Sequence, residues 1–200
     1  MTQVLAILGG YLLGSLPFGY WLPRVFRGED IRTRGSGNVG ASNVFRVYGR
    51  WLGGAVALLD VAKGFAAALL GLWAGDALVG VLAASAAMLG HARPVFLRFE
   101  KGGKMVATAG GATFALAPLA AACCLAVWIV VFALTRYASL ASIATSIALA
   151  VLVVALDYPW PVVAFGIVGA LAVIFLHRQN IRRLLVGTEH RFQLRGARGA

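Results

Sequence analysis

The sequence predicts an all-α, polytopic membrane bundle of about seven short helices, forming one integral membrane domain over residues 1–200, with the N-terminus outside and the C-terminus cytoplasmic. Three observations carry that reading. Of the 200 residues, 60% are hydrophobic and only 12% are charged, with a mean hydropathy of +0.85. Soluble domains run near ~45–50% apolar and ~25% charged, so a fold of this length needs lipid as its solvent. The apolar residues fall into seven runs, and the basic residues fall between alternate runs.

The runs lie near Val4–Leu22, Trp51–Trp73, Ala77–Leu89, Val106–Ala117, Leu119–Leu134, Leu140–Leu156 and Val162–Leu176. No basic n-region or small-residue cleavage site marks Met1–Gln3 and the first run as a signal peptide, so that run reads as a retained helix. Several runs fall short of the usual ~20 residues. If the third and fourth were re-entrant, five spans would remain with the same orientation. Backbone groups in hydrocarbon force helices, strand-like alternation is absent, and frequent Gly and Ala suit close helix packing. Trp51, Trp73, Tyr158 and Trp160 at run ends fit an interfacial belt. Cys123 and Cys124 read as small core residues of the fifth run. Asp60 and Lys63, three apart in the second run, read as a structural pair, because lone charges in a membrane helix are costly.

The charges set the topology. Arg24, Arg27, Arg32, Arg34, Arg46 and Arg50 occupy the first loop. Arg93, Arg98, Lys101 and Lys104 precede the fourth run, and Arg136 follows the fifth. Arg178, Arg182, Arg183, Arg191, Arg195 and Arg198 follow the seventh. Seventeen of the eighteen Lys and Arg residues thus sit on alternate loops, Lys63 being the exception. The positive-inside rule places those loops in the cytoplasm. The net charge of +11 therefore reports topology and lipid headgroups and not a nucleic-acid partner. The basic tail Arg191–Ala200 is expected to fray.

The basic loops carry the polar motifs. Gly35-Ser36-Gly37-Asn38-Val39-Gly40-Ala41-Ser42-Asn43-Val44-Phe45-Arg46 matches G-x-G-x-x-G, but no strand precedes it, so a dinucleotide fold is not indicated. Glycines allow N–H groups to converge on an anion. Ser36, Asn38, Ser42 and Asn43 add neutral donors, and Arg46 adds a planar fork for phosphate. A glycine turn with a helix cap is the alternative. Gly102-Gly103-Lys104 precedes an apolar run, which puts free N–H groups and a cation at a helix start, a second anion site. Arg98 and Met105 stand where a Walker A loop needs Gly and Ser/Thr, so no Mg-nucleotide site is expected. His91 alone reads as an interfacial histidine. Ser139 and Ser142 share a helix face, with capping as the other explanation. His177 and Asn180 do likewise, on what is otherwise an amphipathic interfacial helix. No His/Cys/Asp/Glu spacing suggests a metal.

These motifs resemble, over almost the whole chain, the bacterial acyl-phosphate:glycerol-3-phosphate acyltransferases, the PlsY type. The resemblance runs through Gly14 to Gly19, Asp30-Ile31-Arg32, Gly35 to Arg46, Asp60 with Lys63-Gly64, Gly90 to Thr108, Tyr137 to Ser142 and His177 to Glu189. It implies seven helices and a site at the inner surface of the cytoplasmic membrane. It implies transfer of a fatty acyl group from acyl phosphate to the 1-position of glycerol 3-phosphate, with no cofactor and a separate soluble enzyme supplying the donor. Lys104, Ser142, His177 and Asn180 are the expected catalytic residues. Ser36, Gly37, Asn38, Gly40, Ser42, Asn43, Arg46, Gly102, Gly103, Thr108, Ser139 and Glu189 are the expected substrate-binding residues. The Ser36–Gly40 turn with Gly102 and Gly103 would take the acyl-phosphate headgroup, and Arg46, Lys104, His177 and Asn180 would take glycerol 3-phosphate. This chain departs from the family pattern in one extra residue at Glu100-Lys101, in Met105 for a glycine, which disfavours φ > 0 there, in Ser42 for Thr, and in Leu176 for a basic residue.

No carboxylate stands out as a general base, and the His-x-x-x-x-Asp pair of other glycerolipid acyltransferases is absent: Phe96 and Arg182 follow His91 and His177 by five. The expected mechanism is therefore substrate-assisted, with His177 the rival base. A small transporter of an organic phosphate is the alternative function, against which stand the missing inverted repeat and the one-sided polar groups. A CDP-alcohol phosphotransferase would need an Asp-rich metal motif that seven scattered acidic residues do not form.

Overall fold

The structure is a computed structural model that describes residues 1–192. Among them are ten α-helices and two single 3₁₀ turns, at Ile31–Thr33 and Val95–Leu97, and no strand. The all-α membrane class holds. The first apolar run is two helices, α1 (Thr2–Ser15) and α2 (Phe18–Arg27). Pro17 forces Leu16 into extended backbone, with ψ 109°. That break frees a carbonyl, and Lys63 uses it: its Nζ donates to Leu16 O at 2.8 Å.

After the first polar loop come α3 (Ala41–Tyr48) and α4 (Arg50–Ala74), then α5 (Ala77–Ala92), α6 (Val106–Leu116) and α7 (Pro118–Thr135). The chain ends in α8 (Ala138–Ala155), α9 (Trp160–Leu176) and α10 (Arg178–Leu185), the last bent 59° from α9 at His177. Asp76 caps α5 by accepting from Leu78 and Val79 N–H at 3.0 and 3.2 Å. Five helices are long and apolar enough to cross a membrane, counting α1 and α2 as one, or six if α9 and α10 are one span. The 11 residues of α6 reach only about 16 Å, short of a ~30 Å hydrocarbon core.

The small residues work where helices cross. A Cβ on Gly64 would strike the backbone of Thr108, and one on Gly111 would strike Val61 O, so α4 and α6 touch backbone to backbone. The expected Asp60–Lys63 pair forms at 2.8 Å, with both side chains 3% exposed, and His91 Nδ1 lies 3.6 Å from the same carboxylate oxygen. His91 is thus buried inside the bundle, not interfacial. Cys124 is buried, but Cys123 faces outward, because adjacent helix positions point ~100° apart. Trp51, Trp73 and Trp160 are exposed at helix ends. The tail does not fray where expected at its start: Phe192 is buried and donates its N–H to Arg136 O at 2.9 Å. Residues 193–200, with Arg195 and Arg198, lie outside the described residues.

Candidate active site

The basic loops, far apart in sequence, meet at one end of the bundle. Asn38 Nδ2 donates to Gly102 O at 3.2 Å, and Arg32 bridges Asp30 and Glu100. Ser139 Oγ donates to Glu189 Oε1 at 2.9 Å. Together they frame a cavity of about 610 Å³. Its polar end holds Ser36, Asn38, Gly40, Ser42, Arg46, Lys104, Ser139, Ser142, His177, Asn180 and Glu189. Its apolar end is walled by Val106, Phe114, Leu125, Leu149, Phe165 and Val173, from α6, α7, α8 and α9. A site so built suits a molecule with an anionic head and a hydrocarbon tail.

The glycine-rich turn is made differently from the expected anion nest. Three of its N–H groups are occupied: Ser36 N–H binds Asn43 Oδ1 at 2.9 Å, Gly37 N–H binds Arg34 O at 2.9 Å, and Gly40 N–H binds Asn38 Oδ1 at 2.8 Å, while those of Asn38 and Val39 carry no protein partner among the described residues. Asn43, expected to be a ligand, is a buried clamp whose amide donates to Arg34 O and Asn38 O. Gly37 does not line the cavity, and its φ of 70° explains the glycine. The turn also presents the start of α3, where the Ala41 and Ser42 N–H groups carry no protein partner among the described residues, with Ser42 lining the cavity beside them. The loop's asparagines thus hold a helix start with open N–H groups toward the cavity.

The second glycine motif also departs from expectation. Gly102 N–H binds Ala92 O at 2.9 Å and Gly103 N–H binds His91 O at 3.0 Å, so neither is free for phosphate. Both glycines are buried outside the cavity lining. A Cβ on Gly103 would strike the His91 ring. The pair is a seat that brings Lys104 to the cavity. Thr108 is likewise buried at the α4–α6 crossing and lies away from the cavity. The loop before Gly102 runs through two successive residues of positive φ, Arg98 and Phe99 (φ 52° and 60°). Met105 adopts φ 69°, the conformation a glycine would supply, against the expectation from its side chain. The strain, of order ~1–2 kcal/mol, is offset by burial of the methionine in the main core.

A connected set of side chains closes the polar end. Lys104 Nζ donates to Asn180 Oδ1 at 2.5 Å, and Asn180 Nδ2 donates to Glu189 Oε1 at 2.7 Å. Glu189, its side chain 5% exposed, also takes Arg183 Nε at 2.6 Å. Burial pushes the Lys104 ammonium down to about 8, Glu189 opposing and Arg183, Lys101 and Arg46 adding to the fall. Burial would raise the Glu189 carboxyl, but the hydrogen bonds from Asn180, Arg183 and Ser139 outweigh it and hold it below the ordinary range. His177 Nδ1 lies 2.8 Å from Val173 O; a carbonyl only accepts, so Nδ1 carries the proton and Nε2 is the ring's acceptor. Ser142 donates to Ala138 O at 2.7 Å, in the manner of a helix serine, and takes Trp128 Nε1 at 3.4 Å.

Arg46 stands apart. It has no carboxylate partner within ion-pair distance among the described residues, and its buried Nε has no hydrogen-bond partner. Arg46, Lys104 and Arg183 face a single carboxylate, Glu189, so this end of the cavity carries excess positive charge. Residues that the sequence reading left out of the site, Trp128, Phe132, Arg183, His190 and Phe192, line the cavity as well.

The chain matches the family model described as glycerol-3-phosphate acyltransferase over residues 4–187. It is 46% identical over 191 residues to a glycerol-3-phosphate acyltransferase of a Synechococcus strain, covering 96% of this chain and 95% of that one. It is similar to a solved integral membrane glycerol 3-phosphate acyltransferase, PlsY, in its glycerol 3-phosphate form, with 42% identity, 96% of both chains covered and a TM-score of 0.92. A lysophosphatidic acid form of PlsY superposes with a TM-score of 0.89 at 40% identity, again over 96% of both chains. With a cavity that joins a cationic end to an apolar one, and these relatives over nearly its full length, the chain belongs to the glycerol-3-phosphate acyltransferase family of integral membrane enzymes.

Proposed function

We propose that this enzyme transfers a fatty acyl group from acyl phosphate to the 1-hydroxyl of sn-glycerol 3-phosphate, giving 1-acyl-glycerol 3-phosphate and inorganic phosphate. The amphipathic cavity is the observation that carries the reading. Its apolar end suits an acyl chain, and its one compact cationic end suits two phosphate groups side by side. The glycerol 3-phosphate and lysophosphatidic acid forms of the similar PlsY structures support the acceptor and the product. The site faces the cytoplasm across the bacterial inner membrane, by the placement of the basic loops, where a soluble enzyme can deliver acyl phosphate.

In this mechanism the acyl-phosphate headgroup sits at the start of α3, near Ser36, Asn38 and Ser42. Glycerol 3-phosphate is held by Arg46, Lys104, His177 and Asn180. The 1-hydroxyl oxygen attacks the acyl carbonyl carbon, and the bond from that carbon to the phosphate oxygen breaks. The hydroxyl proton passes to the phosphate of glycerol 3-phosphate itself, whose second pKa is near ~6, and from there to solvent. Lys104 and the α3 N–H groups offset the charge on the departing phosphate. The neutral His177 ring orients the hydroxyl through Nε2. Two tests follow. Purified enzyme is expected to form 1-acyl-glycerol 3-phosphate from acyl phosphate in the presence of EDTA, and to form none from acyl-CoA. Turnover with acyl-CoA at a similar rate would remove the acyl-phosphate assignment. His177→Ala is expected to lower kcat by less than ~100-fold, whereas a loss near ~10⁴ would match removal of a general base and move that role to the histidine.

A further inference from the structure

The segment after α10 is a strap along the cavity wall, which Glu189, His190 and Phe192 help line. It leaves the helix at Gly187, whose φ of 71° turns the chain, passes Glu189, and docks at Phe192. The Phe192 ring packs edge-on against Phe45 of α3 and Phe132 of α7, at 5.4 and 5.2 Å between centroids. Its N–H is fixed to Arg136 O. The Arg46 guanidinium carbon lies 5.1 Å from the centre of the same ring. Phe192 is buried in the cavity wall, and it lies beyond residue 187, where the family match ends.

We propose that Phe192 is a positioning residue that holds Arg46 for a substrate phosphate. Arg46 has no carboxylate within ion-pair distance among the described residues, and the Phe192 ring is an aromatic face beside it. A guanidinium stacked on a ring keeps its in-plane N–H groups free, which is the geometry that phosphate oxygens need. The buried, unpartnered Nε of Arg46 is a donor that such an oxygen would satisfy. This inference rests on the reading that Arg46 holds a substrate phosphate.

The test uses the full-length enzyme with acyl phosphate and glycerol 3-phosphate, and the variants Phe192→Leu, Phe192→Tyr and Arg46→Ala. Phe192→Leu keeps the apolar packing and removes the aromatic face. It is expected to raise the KM for glycerol 3-phosphate about tenfold, the scale of a desolvated cation–π contact, with kcat within about threefold. Phe192→Tyr is expected to restore that KM. Arg46→Ala is expected to raise the same KM more, and adding Phe192→Leu to it is expected to change nothing further, whereas loss of a merely structural strap residue would add its own effect. If Arg46→Ala raises a KM and Phe192→Leu leaves both within twofold, the strap role is overturned alone. If Arg46→Ala changes neither KM, the phosphate reading of Arg46 falls first.

Discussion

Lys104→Ala is expected to lower kcat about a thousandfold while leaving the protein folded. The lysine enters the cavity from a seat built by Gly102 and Gly103 on the end of α5, so its removal leaves that backbone intact. Its ammonium is a fixed donor in a half-buried site, and deleting one such preorganised donor in an acyl transfer costs ~10²–10³. Loss of a full charge beside two phosphates takes the upper end of that range. The same residue sets a pH limb. Lysine is active here as the cation, and burial brings its pKa down to about 8. In the free enzyme kcat/KM should therefore fall as pH rises through about 8. Lys104→Arg keeps the charge at high pH, so its profile should stay flat through that window at a lower plateau, because a planar fork does not replace a point charge. A wild-type profile flat from pH 7 to 10, with Lys104→Ala within tenfold of wild type, would remove Lys104 from the chemistry.

What the sequence made legible was the solvent, the helices and the side on which the polar groups gather. Those follow from summed quantities: apolar run length, and the sign of charge on alternate loops. The loops themselves were less legible, because the same residue type serves two purposes that only three-dimensional contacts separate. Gly102 and Gly103 look like free donors at a helix start. In the fold their N–H groups bind the end of α5, and their missing side chains make room for His91 and Pro94. Asn43 looks like a ligand and is a clamp. Conversely, aromatic residues in or beside apolar runs give no sign that they face a cavity. Trp128 offered one faint signal. It lies within α7, short of its end at Thr135, too deep for the interfacial belt, and an indole N–H in that setting needs a partner. Phe192 offered another, a lone aromatic ring in a tail otherwise rich in Arg and Gly.

Glu189→Ala is expected to abolish activity and to destabilise the enzyme at once, because among the described residues Glu189 is the one carboxylate that joins α8, α10 and the Lys104 loop. It accepts from Ser139, Asn180 and Arg183, and Asn180 in turn takes Lys104. Removing it leaves a half-buried guanidinium and two neutral donors without partners, which costs about 2–4 kcal/mol. Asn180 then turns away from Lys104, so turnover is expected below about 1% of wild type even where the variant folds, on the scale of a lost preorganised donor. Thermal unfolding in detergent measures the first effect and a single-turnover assay the second. The pH dependence has a definite sign. The folded carboxyl sits below its ordinary value, so its contribution is complete above the ordinary carboxylate range and is lost as pH falls through the lowered one. Glu189→Gln carries no such charge, so the gap in unfolding midpoint between it and the wild type should be widest at neutral pH and close in acid. A gap that stays constant across that range would show that the carboxylate acts there by shape alone, and that the charge balance at the cationic end of the cavity is set elsewhere.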